Sequence, residues 1–363
     1  MKKICVFCET WASGGIESLL CRLLANMDQT GLQIDLVAAR AEDSVFTLPL
    51  EQAGIRVREL SGSKLRWFSN CRQFDRLLRE QQYDAVHLNV FQGLQLVYLW
   101  LAQRAGVPVR IAHSHASGLR RSPLRPAKLL LHSLGKGLFG HCATRRWACS
   151  GAAAAFLFSA ESHRLPNGLD TLQYRFDANT RKRIRAQLGL EDQFVIGSVG
   201  RLAPEKNQLF LLDTLAALLP QRPESVLLLV GDGPQRQALQ RRAEALGING
   251  HVLFYGVSDR VQELLWAMDA FAFPSLSEGL GMAAVEAQAA GLPVICSQHI
   301  PDEARVTPLF QQLPLQEGAA RWAQALANTH TSNRESYAAV VRQAGYELSD
   351  VSQTVRAAYL EES

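Results

Sequence analysis

Ala270-Phe-Ala-Phe-Pro-Ser-Leu-Ser-Glu-Gly-Leu-Gly-Met-Ala-Ala-Val-Glu286 holds a strand, a glycine-bearing turn and the start of a helix in one stretch of chain. The apolar run Ala270 to Phe273 reads as a buried strand, Pro274 and Ser275 end it, and Gly281 to Ala290 has helix-forming composition. Glu278 then falls at a strand's carboxyl end. Glu286, eight residues on, is expected little more than two turns into the helix, so the two carboxylates can touch different parts of one extended ligand. The amides of Gly279, Leu280 and Gly281 are expected to point outward at the positive end of the helix dipole. Missing side chains there let a phosphate approach closely.

The same strand, turn, helix rhythm runs in both directions from this stretch. Lys3 to Phe7, Ile34 to Ala39, the strand from Ala85 and Val109 to Ala112 precede it. In the second half Phe194 to Val199, Val226 to Val230 and Val252 to Tyr255 come before it, and Pro293 to Cys296 after. Alternating strands and helices imply parallel sheets, and the cycle restarts near residue 190. The fold class is therefore α/β, with two doubly wound Rossmann-like domains facing each other across a cleft. The first covers residues 1–175 and the second 176–345. The turn Pro166-Asn167-Gly168 and the charged stretch Arg175 to Arg185 read as the linker. Ligands of such sheets bind beyond the carboxyl ends of the strands, which brings the loop after Val199, the Gly231 turn and the Glu278 turn to one edge.

The loop after Val199 reads Gly200-Arg201-Leu202-Ala203-Pro204-Glu205-Lys206-Asn207. Arg201 offers a planar fork and Lys206 a compact charge, so together they can neutralise a diphosphate without metal. The chain has no Asp-x-Asp triplet and no Gly-x4-Gly-Lys-Ser/Thr loop, which argues against a P-loop nucleotidase. Gly231-Asp232-Gly233-Pro234 reads as a helix-opening turn with Pro234 at the first helical position. Taken alone, Glu278 and Glu286 also suit a solvated first helical turn, and Arg201 and Lys206 a surface pair flanking Glu205.

At 363 residues, 47% hydrophobic and 20% charged, the chain is long enough for two cored domains. Its seven cysteines are odd in number and scattered, which points to a reducing cytoplasm rather than a disulfide framework. The start Met-Lys-Lys-Ile-Cys-Val-Phe-Cys-Glu is too short and too soon charged for a signal peptide, and no apolar run suffices to span a bilayer. Charge is uneven. Residues 1–170 carry net +8 and residues 171–363 net −4, and no acidic residue occurs from Ala85 to Ala160. That stretch holds Arg104, Arg110, Arg120, Arg121, Arg125, Lys128, Lys136, Arg145 and Arg146, with Leu129 to Leu131 and Leu138-Phe139 among the later ones. A basic surface with apolar residues suits an anionic membrane face, each Lys or Arg contributing roughly 1 kcal/mol. The expected location is cytoplasmic, peripheral at the inner face of the cell membrane. The other reading is a solvated basic face on a core helix. Nucleic acid is a poor partner, because no recognised binding module accompanies the charge.

Taken together, Gly14-Gly15-Ile16-Glu17 after the first strand, Pro166-Asn167-Gly168-Leu169-Asp170, the Gly200 to Asn207 loop, Gly231-Asp232-Gly233-Pro234 and Glu278-x7-Glu286 resemble glycosyltransferase family 4, retaining enzymes of the GT-B fold. Their order and spacing match the family's over most of the chain. Ala112-His113-Ser114-His115 resembles the subgroup that builds bacterial capsular, exopolysaccharide and related envelope glycans. The resemblance implies that residues 346–363, with a helix over about Asp350 to Leu360, pack back on the first domain. It implies transfer of a hexose or N-acetylhexosamine from a nucleotide sugar, a UDP-sugar by preference, to a lipid-linked or envelope-glycan acceptor. The anomeric configuration is retained, and neither cofactor nor metal is required.

It also assigns roles. Glu286 binds the donor ribose, Glu278 the transferred sugar, and the amides of Gly279 to Met282 the sugar and phosphate. Arg201 and Lys206 hold the departing diphosphate, Gly15 lets it approach, and Val257 joins the donor contacts. His115, with His113 as second choice, contacts the donor sugar; His87 and Asn89 line the same cleft or the core. Two further readings stand beside this one: a GT-B nucleotide-sugar epimerase, which Glu278-x7-Glu286 weighs against, and a noncatalytic nucleotide-sugar-binding subunit. Gly279-Leu-Gly281-Met-Ala-Ala284 mimics a dinucleotide fingerprint but lacks its acid about 20 residues on, where Cys296-Ser297-Gln298 stands. Acceptor choice falls to first-domain loops such as Ser117 to Lys128.

Overall fold

Runs such as Ile4-Cys-Val-Phe7 and Val226-Leu-Leu-Leu-Val230 have no polar position, and each becomes a strand buried on both faces. The computed structural model describes residues 1–12, 15–42, 44–63, 66–119, 124–330 and 332–361. Of the residues singled out by sequence, Gly14, Arg120 and Arg121 lie outside these. The chain divides into two units, Met1–Gly168 with Leu348–Ser363, and Leu169–Glu347.

The first unit holds β1 (Lys2–Trp11), β2 (Leu32–Ala41), β3 (Arg56–Glu59), β4 (Ala85–Val90), β5 (Val109–Ser114), β6 (Arg145–Ala148) and β7 (His163–Arg164). They form one parallel sheet in the order β3-β2-β1-β4-β5-β6-β7. Alternation along β1 sends Ile4, Val6 and Cys8 into one apolar layer and Cys5 and Phe7 into the other. The helix Leu348–Leu360 closes the first layer through Val351, Val355, Ala358 and Tyr359. Its Ser352 hydroxyl donates to the Leu23 carbonyl at 3.2 Å.

The second unit holds β8 (Phe194–Val199), β9 (Ser225–Val230), β10 (Val252–Gly256), β11 (Ala270–Phe273), β12 (Val294–Cys296) and β13 (Phe310–Gln312). Their order is β10-β9-β8-β11-β12-β13, again all parallel. Both units are thus doubly wound. In each the strand order reverses beside the first strand, between β1 and β4 and between β8 and β11. The turns leaving those strands are where such sheets bind ligands.

The stretch Arg175 to Arg185, a linker by composition, is mostly the first helix of the second unit, Ala178–Leu188. The Asp177 carboxylate caps it by accepting the Thr180 N–H at 2.6 Å, and Gly189 ends it in a left-handed turn. Two of its arginines look solvated in sequence but are consumed at one helix end. Arg181 and Arg185 pair with Asp269 at 2.7 and 3.0 Å, and with Arg334 they donate to carbonyls at the end of the helix Val261–Ala267. All seven cysteines are free thiols. Among the described residues no helix is long and apolar enough to cross a membrane.

Candidate active site

At the carboxyl end of β8 the Gly200 N–H donates to the Val230 carbonyl at 2.9 Å, and the chain passes exposed Arg201 into a 3-10 turn, Pro204–Lys206. Asn207 then takes a left-handed conformation (φ 56°) and opens the helix Gln208–Leu218. That turn lets Lys206 Nζ donate to Glu278 Oε1 at 2.6 Å. Two further bonds tie the β8 and β11 loops. The Leu276 N–H donates to the Glu205 carbonyl at 2.8 Å, and Asn207 Nδ2 to the Pro274 carbonyl at 3.3 Å. The paired side chains are only 22% and 13% exposed, and Lys206 Nζ stands 5.2 Å from the centre of the Phe273 ring. A short charge-assisted bond so shielded is stronger than a surface ion pair.

Gly281 adopts φ 88° and precedes the helix Met282–Ala289. Because the helix starts only there, Glu286 is its fifth residue, one turn in rather than two, at about 7.5 Å of helical rise from Gly281. Glu286 and Leu280 are buried, while Glu278, Gly279 and Met282 are half-buried. The Gly231 turn braces the Arg201 loop. The Leu202 N–H donates to the Asp232 carbonyl and the Gln235 N–H to the Leu202 carbonyl, both at 3.0 Å. Gly231 itself has φ 128°, and a Cβ there would lie 2.2 Å from the Gly200 carbonyl oxygen. The helix beyond begins at Arg236, so Pro234 lies in the turn and not at the first helical position. Val257, just past β10, is 67% exposed.

In the first unit, alternation along β4 and β5 places His87 and Asn89 beside His113 and His115, all four buried. His87 Nε2 meets His113 Nδ1 at 3.2 Å, and His115 Nε2 meets Asn89 Oδ1 at 2.9 Å. Sequence reasoning missed Tyr359, whose hydroxyl lies 2.7 Å from His87 Nδ1. Burial lowers the His87 and His115 imidazoles to about 3, and burial with the two neighbouring rings takes His113 well below the ordinary range. All three are neutral near pH 7.

The partners assign the tautomers. A buried Tyr359 hydroxyl satisfies its proton by donating to His87 Nδ1, so His87 Nε2–H donates to His113 Nδ1. His113 is left with an Nε2–H that has no hydrogen-bond partner among the described residues. Asn89 Nδ2 donates to the Phe7 carbonyl at 3.1 Å, so Oδ1 accepts from His115 Nε2–H and leaves His115 Nδ1 as an unpartnered acceptor. With ring centres 4.0 Å apart, the pair holds one buried donor, His113 Nε2–H, and one buried acceptor, His115 Nδ1. Gly15 opens the helix Gly15–Ala25, and a Cβ there would meet nothing within 4 Å among the described residues, so their packing does not require glycine at that position.

Two predictions arise here. Tyr359→Phe removes the donor that fixes His87, and the ring 15N shifts of His113 are expected to move from one tautomer to a mixture. Unchanged shifts contradict the assignment. Because folding lowers these three imidazoles, His87 and His115 to about 3 and His113 well below the ordinary range, the unfolded chain binds more protons over the window from the ordinary value of 6.5 down to those folded values. Their stability is retained in full above about 6.5 and falls as pH drops through that window. The pH slope of the unfolding free energy near pH 5 is expected to report about three protons from these side chains. A flat profile there would refute their burial as neutral rings.

Comparison with known proteins supplies the family. A model described as "Glycosyl transferase 4-like domain" matches residues 14–168, and one described as "Glycosyl transferases group 1" matches residues 180–328. Glycosyltransferase EpsF of Bacillus subtilis is 30% identical over 334 residues, covering 88% of this chain and 86% of that protein. A GDP-mannose-dependent phosphatidylinositol monomannoside mannosyltransferase of Mycolicibacterium smegmatis is 34% identical over 61% of this chain and 60% of its own length. An Escherichia coli enzyme named UDP-Gal:alpha-D-GlcNAc-diphosphoundecaprenol alpha-1,3-galactosyltransferase is 29% identical over 61% of this chain and 59% of its own. Among solved structures, Anabaena Alr3699/HepE in complex with UDP superimposes with a TM-score of 0.79 at 22% identity, over 98% of this chain and 99% of that one. That likeness shows the GT-B fold. With both halves matched by family models and a relative aligned along most of its length, the chain belongs to the family 4 glycosyltransferases, enzymes that take their sugar from a nucleotide donor.

Proposed function

We propose that this glycosyltransferase moves a hexose or N-acetylhexosamine from a UDP-sugar to a hydroxyl of a lipid-linked or envelope-glycan acceptor, with retention at the anomeric carbon. The Lys206–Glu278 pair at the β8/β11 reversal carries the reading. It sets a cation for a diphosphate beside a carboxylate for sugar hydroxyls, at the sheet edge where such folds bind ligands. The donor diphosphate lies against Lys206 and Arg201 with the amides of Gly279 to Met282 around it, Glu286 takes the ribose, and Val257 covers the nucleoside. Gly15 lets phosphate oxygens approach closely. No protein nucleophile is needed. The bond from the anomeric carbon to the diphosphate oxygen breaks while the acceptor oxygen bonds to that carbon from the same face. The acceptor's proton passes to the departing phosphate oxygen. Lys206 and Arg201 stabilise the charge that develops there, so no metal is required.

His113 and His115 are neutral and hold a sugar hydroxyl between donor and acceptor; they do not shuttle protons. The uridine donor and the lipid-linked acceptor are supported by the name of the Escherichia coli relative, and lipid acceptance also by that of the mycolicibacterial one, which names GDP-mannose. The test supplies UDP- and GDP-sugars with an undecaprenyl-diphosphate-sugar acceptor in the presence of EDTA and reads the product's anomeric configuration by NMR. An α-linked product from an α-linked UDP-sugar is expected. Inversion, or transfer abolished by EDTA, overturns the mechanism.

A further inference from the structure

The first unit has a strand-order reversal of its own, between β1 and β4, and a small recess opens there. Glu9 near the carboxyl end of β1, Ala39 near that of β2 and Gln95 just after β4 line it. Trp67 from the helix Trp67–Gln81 and Tyr98 from the helix Val97–Arg104 complete the wall. Sheets of this kind bind ligands at such reversals, and none of the residues given to the donor lines this one. The recess encloses about 30 Å³, room for one water or for a hydroxyl-bearing edge of a ring, not for a whole sugar.

Gln95 decides what can enter. Its Oε1 accepts the Phe91 N–H at 2.8 Å and the Gln92 N–H at 3.3 Å, which only the amide oxygen can do, so the orientation of the amide is settled. Its Nε2 is thereby turned away from that backbone. The residue is only 5% exposed, and Nε2 has no hydrogen-bond partner among the described residues, a state that costs about 1–3 kcal/mol unless something accepts from it. Alternation along β1 puts half-buried Glu9 on the same side as Phe7, where Tyr98 is clamped against Phe7 and Phe74 with ring centres 4.3 and 5.2 Å away. Burial, with Cys71 and the Glu9 charge adding to it, raises the Tyr98 phenol, so its hydroxyl stays protonated.

We propose that this recess reads the acceptor's sugar. One edge of a neutral pyranose enters, one hydroxyl accepting from Gln95 Nε2–H and its neighbour donating to Glu9, while the ring's C–H face lies on Trp67. A carboxylate in the wall turns away the anionic diphosphate of a lipid-linked acceptor, and an amide donor turns away a cation, which leaves an uncharged polyol. This role rests on the transferase reading and refines it, because it places acceptor selection on Glu9, Gln95 and Trp67 and not only on the loop Ser117 to Lys128.

The experiment titrates the full chain with the methyl α-glycosides of glucose, galactose, mannose and N-acetylglucosamine and reads saturation-transfer NMR. At least one glycoside is expected to bind the parent. Gln95→Glu keeps the oxygen that holds the turn and replaces only the free donor, and Glu9→Gln replaces the carboxylate at the same size. Each is expected to weaken that glycoside about tenfold or more. Thermal unfolding reports the fold of each variant. Binding of no glycoside, or binding undiminished in either variant, overturns the proposal and leaves a buried water on Gln95. Glycoside bound through Glu9 by a parent that transfers no sugar supports the recess and sinks the transferase reading instead.

Discussion

Lys206→Ala is expected to lower turnover by about 10²- to 10³-fold, the usual cost of removing one group aimed at developing charge. Lys206 is held within 2.6 Å of Glu278 by a left-handed turn at Asn207 and by two bonds between the loops, so its position is set before any donor arrives. A pre-positioned charge stabilises a departing diphosphate without reorganising. The substitution also leaves a 13%-exposed carboxylate without its lysine, a loss of about 1–3 kcal/mol of stability. Lys206→Arg separates the two effects, because it keeps the charge but replaces a compact ammonium by a planar fork. It is expected to recover stability more fully than turnover. Single-turnover rates and urea unfolding of the three proteins check this. Equal turnover in Lys206→Ala and parent removes Lys206 from the chemistry.

Gly231→Ala is expected to be the most damaging single methyl group in the second unit's site. The added carbon would sit 2.2 Å from the Gly200 carbonyl oxygen on a backbone at φ 128°, and neither backbone can yield without moving the Arg201 loop. A loss of about 3 kcal/mol or more follows from a clash and an unfavourable conformation together. Gly15→Ala is the counterpart. None of the described residues lies within 4 Å of its Cβ, so stability should stay within about 0.5 kcal/mol of the parent. Donor affinity should nevertheless fall if a diphosphate approaches that backbone. Thermal unfolding and donor titration of both variants distinguish packing glycines from ligand glycines; a stable, active Gly231→Ala would contradict the bracing role of the turn.

The second unit's loops are legible in sequence because each is written locally. An apolar strand, a glycine and a helix start occur within about a dozen residues. Their pairing is not local. Lys206 and Glu278 lie 72 residues apart, and only the reversal of strand order between β8 and β11 brings them together. Tyr359 had no signal at all, since its hydroxyl's partner, His87, is 272 residues away. The Arg175 to Arg185 stretch misleads because charge reads as solvation, whereas Arg181 and Arg185 cap a helix end and pair with Asp269. Glu286 sits shallower in its helix than eight residues of spacing suggest, since the first three after Glu278 form turn and cap, not helix. The leucines of Arg125–Phe139 were visible as residues. Their outward direction was fixed only by His132 and Gly135 taking the inner face.

The measurement that bears most directly on this account incubates purified protein with UDP-, GDP- and ADP-sugars in the presence of EDTA, following nucleotide release and the sugar by NMR. Slow release of UDP from one UDP-sugar is expected even without acceptor, accelerated when an undecaprenyl-diphosphate-sugar acceptor is added and lost in Glu286→Ala. A sugar epimerised at C2 with no release, or release unaffected by Glu286→Ala, would contradict it.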